Sequence, residues 1–118
     1  MVDENVEVDI QAALAALKDG FARKIPAKVD EIRQNWQQLK TTPEGPEMFQ
    51  LLRRQAHTLA GTAATYGFEE TGRIAGAIEI TLQDDLTEDY TIWTAMAVDK
   101  VETLLIQLES VAKRESEE

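Results

Sequence analysis

The chain has one histidine, His57, and no cysteine. Imidazole offers a neutral nitrogen nucleophile near neutral pH, and its two ring nitrogens can be given different tasks by their hydrogen bonds. Within reach on one helical face lie Arg53 and Arg54 before it, and Ala60, Gly61 and Ala64 after it. An exposed helix face ordinarily carries Glu, Lys and Gln. Here Ala60-Gly61-Thr62-Ala63-Ala64-Thr65 is nearly bare, and Gly61 costs about 1 kcal/mol against alanine in a helix interior. Such a face suits a place where another molecule must come close. The second acid–base candidate is Glu79. If the chain reverses at Gly67, His57 and Glu79 differ in height by roughly 3 Å. Antiparallel geometry makes the two side chains converge on one groove or diverge together, and spacing alone leaves both open. Convergence would let Glu79 accept from Nδ1–H of His57, leaving a lone pair on Nε2.

The rest of the inventory excludes chemistry. A single histidine without cysteine builds neither a multi-histidine nor a thiolate metal site, so no metal is assigned. The two serines, Ser110 and Ser116, lie about fifty residues from His57, which disfavours a serine hydrolase. No glycine-rich phosphate loop or kinase motif is present, so no ATP site is expected and the protein is read as not an enzyme in its own right. The net charge of −10 opposes nucleic acid and anionic membranes, which attract basic surfaces. That charge is uneven. Residues 1–17 carry four acids and no base, whereas residues 18–73 carry nine bases and seven acids. An acidic partner is repelled least in the middle of the chain.

Helical periodicity positions these groups. Ile10, Leu14, Leu17, Phe21, Ile25, Val29, Ile32, Trp36 and Leu39 form one apolar stripe at steps of three and four. It passes through Pro26, where a kink is expected because the backbone loses a donor. Thr41-Thr42-Pro43-Glu44-Gly45-Pro46 ends it. Phe49, Leu52, Ala56, Leu59, Ala63 and Tyr66 form the second stripe, closed by Gly67. Phe68, Thr71, Ala75, Ile78 and Leu82 form the third. Thr87 reads as an N-cap for the last stripe, which is Tyr90, Trp93, Ala97, Val101, Leu104, Leu108 and Val111. The reading is an all-α, antiparallel four-helix bundle with a long, Pro26-kinked first segment. It forms one domain over residues 1–118, ordered over about 8–113, with polar ends.

The run His57-Thr58-Leu59-Ala60-Gly61-Thr62-Ala63-Ala64-Thr65-Tyr66-Gly67-Phe68, continuing through Ala75 to Ile78-Glu79, resembles the histidine-containing phosphotransfer (HPt) domain family. That family's pattern is a histidine, x, leucine, usually lysine, then glycine, small residues, an apolar residue and glycine, ending in an apolar–acid or apolar–glutamine pair. Phe21-Ala22-Arg23-Lys24-Ile25-Pro26 looks like the family's first long helix, and the resemblance covers residues 10–111. It implies a phosphorelay intermediate in a two-component system, with His57 as phosphoacceptor and Glu79 orienting it. Ala60, Gly61 and Ala64 would then face a docking response-regulator receiver domain, and a sensor or hybrid histidine kinase would be the other partner. It implies no resident cofactor, Mg²⁺ being carried by the receiver. The lack of cysteine and an acidic N-terminus unlike a secretory or transit signal fit the cytoplasm, and the chain is read as a monomer. One position departs from the pattern. The family usually has lysine where this chain has Ala60, and Arg53 or Arg54 could substitute from the preceding turn. The alternative is a helical adaptor that binds a partner without phosphotransfer.

Overall fold

Alternating three- and four-residue apolar spacing produces helices throughout. The computed structural model describes residues 4–41, 45–84 and 95–117, among which there are four helices and no strand. They are α1 (Glu4–Thr41), α2 (Gly45–Thr65), α3 (Glu69–Asp84) and α4 (Ala95–Glu117). Each packs against two neighbours in ring order, α1–α2–α3–α4 and back to α1. Pro26 lies inside α1 on the exposed side, so its missing donor does not end the helix.

The core follows the predicted stripes closely on α2 and α3. Phe49, Leu52, Ala56, Leu59 and Ala63 of α2 are buried, as are Thr71, Ala75, Ile78 and Leu82 of α3. Phe21, Ile25, Val29, Ile32, Trp36 and Leu39 of α1 close over them. Thr87, Tyr90 and Trp93 lie outside the described residues. On α4 two of the expected inner positions, Val101 and Leu108, hold, and two are displaced by one residue. Val101, Leu105, Leu108 and Ala112 are buried, while Leu104 and Val111 are half-buried at the flank. Both phases carry apolar residues at helical spacing, so periodicity does not separate them; the contacts of Glu102 accompany the observed one. Its carboxylate accepts from Trp36 Nε1 at 2.8 Å and from Arg33 Nη1 at 3.0 Å, and it pairs with Lys40. Arg33 also reaches Glu109, at 2.6 Å. These bonds lock α4 against α1.

Both ends differ from expectation. α4 extends as helix past Lys113 to Glu117. Glu115 explains this, because it accepts from the Thr71 amide at 2.7 Å and from Thr71 Oγ1 at 2.5 Å. It thereby satisfies a donor that the first turn of α3 leaves without a partner. At the other end Ile10, Leu14 and Leu17, expected in the core, are each more than half exposed. The pairings of Arg33 with Glu109 and Lys40 with Glu102 set one antiparallel register that brings Glu117 level with Ile25. Phe21 stacks on Tyr66 with ring centroids 5.3 Å apart, at the turn between α2 and α3. Nothing among the described residues reaches further along α1, so its first four turns project beyond the bundle.

Candidate functional site

The site stands on α2 and α3, held in register by the turn between them. Gly67 adopts φ 83°, the left-handed conformation that glycine enters without a Cβ penalty. Its amide donates to the Ala64 carbonyl at 3.2 Å, and the Phe68 amide donates to the Ala63 carbonyl at 2.8 Å. This is a Schellman closure, with Phe68 and Ala63 both buried beneath it. The turn therefore fixes which residues of α2 and α3 stand side by side.

Gly72 then sets how near the helices come. A Cβ built there would lie 3.1 Å from the Ala60 carbonyl oxygen and 3.3 Å from the Ala64 amide nitrogen. Only hydrogen fits. This residue was missed from the sequence, although a glycine inside a helical pattern is the same signal that drew notice to Gly61. At Gly61 a Cβ would meet nothing within 4 Å. The two glycines thus do opposite things: Gly72 permits close packing inside, and Gly61 leaves the outer surface flat.

With that spacing His57 and Glu79 converge. His57 Nδ1 lies 2.8 Å from Glu79 Oε1, with the imidazole 72% exposed and the carboxylate 24% exposed. An ionised carboxylate can only accept, so Nδ1 carries the hydrogen, and in the neutral ring the lone pair is then on Nε2. Arg53, half-buried, and Arg54, exposed, line a shallow groove together with Gln50, His57 and Glu79. Arg54 also borders a second groove, between α1 and α2, that includes Lys28, Thr58 and Thr62. On the other side of His57 the surface is small and level. Gly61 and Ala64 are exposed, while Ala60 is half-buried, with its methyl 3.9 Å from where a Cβ on Gly76 would stand. Among the described residues no group of three or more acidic, histidine or cysteine side chains is placed to hold a metal ion.

The ensemble is a helical bundle presenting one oriented, exposed imidazole beside two guanidinium groups. The model of the Hpt domain family matches residues 9–111, most of the chain, and the protein belongs to that family. Hpt domains are histidine phosphotransfer modules of two-component phosphorelays. They interact with receiver and kinase domains and lack a kinase or ATP site of their own. Comparison with curated proteins and with solved structures returned no match. No described helix is long and apolar enough to cross a membrane.

Proposed function

We propose that Nε2 of His57 accepts a phosphoryl group from the phosphoaspartate of a response-regulator receiver domain, or from a kinase, and passes it to another receiver's aspartate. The observation that carries this reading is the 2.8 Å contact between His57 Nδ1 and Glu79 on an imidazole that is otherwise exposed. In the step, the Nε2 lone pair forms the N–P bond as the P–O bond to the aspartyl carboxylate breaks, and that carboxylate leaves with the bonding pair. The new imidazolium keeps its Nδ1 hydrogen on Glu79. Such transfers depend on in-line placement and charge neutralisation more than on covalent help from the protein. Glu79 is the positioning residue. Arg53 and Arg54 supply positive charge that Ala60 cannot, and the receiver brings Mg²⁺. Ala60, Gly61 and Ala64 give the receiver a surface without protruding side chains, so its phosphorylated pocket can close over the ring. This reading places the domain in the cytoplasm, where receivers and kinase domains meet.

Incubation with a phosphorylated receiver and Mg²⁺ tests it. The wild type should acquire an acid-labile, base-stable phosphoryl group, and His57→Gln should acquire none while keeping its helical content. Label on His57→Gln would refute the assignment. A wild type that binds receivers yet never takes the label would establish the adaptor alternative instead.

A further inference from the structure

The projecting start of α1 is the largest feature the phosphotransfer reading does not use. From Glu4 to Leu17 the helix runs about 20 Å past the end of the bundle. Along it Val6, Ile10, Leu14 and Leu17 are 47, 53, 57 and 56% exposed. Ile10, Leu14 and Leu17 continue the stripe that is buried from Phe21 onward, so the arm presents core-type surface with no core beneath it. A contiguous apolar strip on a projecting helix marks a contact surface. The charges indicate what covers it. Up to Leu17 the chain carries Asp3, Glu4, Glu7 and Asp9 and no base, whereas residues 18–24 carry Lys18, Arg23 and Lys24 against Asp19 alone.

We infer that the arm pairs with the arm of a second copy of this chain, antiparallel, crossing near Ala13 and Leu14. That orientation brings each acidic arm toward Lys18, Arg23 and Lys24 of the other copy, where α1 enters the bundle, twice, by symmetry. A parallel pair would set acids against acids. Ile10 and Leu17 of one copy then flank Leu14 of the other, and each arm's tip reaches the partner's exposed bundle end beside Gly67, where Lys18 lies over the Phe68 ring at 5.4 Å. The four half-exposed side chains contribute roughly 350 Å² of apolar surface per copy, under half the ~800 Å² of a standard interface. The dimer is therefore weak and concentration-dependent. His57, on α2, takes no part in it, so the pairing stands or falls separately from phosphotransfer.

Sedimentation equilibrium of the full chain over micromolar to millimolar concentration tests the pairing. The wild type should shift from monomer to dimer across that range, and Leu14→Glu should stay monomeric with unchanged helical content, because Leu14 is more than half exposed and outside the core of the isolated fold. The absence of cysteine allows one spin label at Val6→Cys. In the antiparallel dimer the two labels should lie roughly 20–30 Å apart at 1.5 Å rise per residue. Three results would each overturn the inference: a wild type monomeric throughout, a dimer that survives Leu14→Glu, or Val6 labels in close contact.

Discussion

Two helical glycines invite the same substitution and should answer it with opposite signs. In Gly61→Ala the new methyl meets open space, so the change acts mainly through backbone propensity and the unfolded chain. It should stabilise by about 0.5–1 kcal/mol. In Gly72→Ala the propensity gain is similar, but the methyl arrives 3.1 Å from the Ala60 carbonyl oxygen and 3.3 Å from the Ala64 amide. Both atoms belong to the backbone of α2 and cannot step aside as a side chain would. Relief requires α3 to move away from α2, and overpacking of this kind costs about 1–3 kcal/mol. The balance is a net loss of about 1 kcal/mol, or a fall in Tm of roughly 3–6 °C for a domain of this size. Urea unfolding followed by circular dichroism reads both signs. The functional readouts separate as well. Gly72→Ala shifts α3 and loosens the contact between His57 and Glu79, slowing transfer through the donor–acceptor geometry. Gly61→Leu should keep the stability and lose transfer, because its side chain stands on the face proposed for receiver docking. A Gly72→Ala variant more stable than wild type would show that the α2–α3 spacing is not set by this glycine. Normal transfer by Gly61→Leu would show that the flat surface is not the docking face.

Four further variants probe charge. Partial burial works to raise the Glu102 carboxyl, but hydrogen bonds from Lys40, Trp36 and Arg33, together with the charge of Arg33, outweigh it and bring it down to about 2. Unfolding lets this group bind a proton at its ordinary pKa near 4.3, so its contribution is complete above that value and is lost as pH falls toward 2. Glu102→Gln should therefore lower Tm at pH 7, by a margin that narrows between about pH 4.5 and 2; a constant margin would contradict the argument. Replacing Arg53 and Arg54 together with alanine should slow transfer several-fold and weaken its dependence on ionic strength, and unchanged salt dependence would assign all the positive charge to the receiver. Glu79→Gln keeps an acceptor for Nδ1–H and should slow transfer only modestly, whereas Glu79→Ala should cost roughly tenfold or more as the ring loses its orientation. Imidazole ¹⁵N shifts check the cause: the Nδ1–H form should dominate in wild type and Gln and become mixed in Ala, and identical shifts in all three would reduce Glu79 to a surface acid.

The site was legible in the sequence because its parts are local to two helices and one turn. Once Gly67 fixes the reversal, the heights of His57 and Glu79 follow from helix rise alone. Convergence did not follow, since it depends on which way α2 and α3 face each other, and that is settled by third parties. Buried Ala63 and Phe68 pin the turn, and Gly72 lets α3 approach the carbonyl of Ala60. The displacement on α4 was illegible for a similar reason. Leu104 and Leu105 are adjacent leucines, and contacts distant in sequence, such as Glu102 with Arg33, Lys40 and Trp36 and Glu109 with Arg33, accompany the turn of Leu105 inward.

The start of α1 shows where periodicity itself stops being informative. An apolar stripe records that a face is to be covered, not what covers it. Ile10, Leu14 and Leu17 have the same spacing as Phe21, Ile25 and Val29, yet the first set is exposed and the second buried. The difference lies in the lengths of the other helices, because the α2–α3 turn and the end of α4 both stop near the level of Phe21 to Ile25. His57 and Glu79 lie well inside that limit, on the pair of helices that the glycine packing holds closest. The imidazole is thus fixed by contacts that owe nothing to the arm, and the arm can engage a partner without disturbing the ring. A domain built this way can carry its chemistry on α2 and α3 while α1 serves association, and substitutions in one should leave the other's readout unmoved.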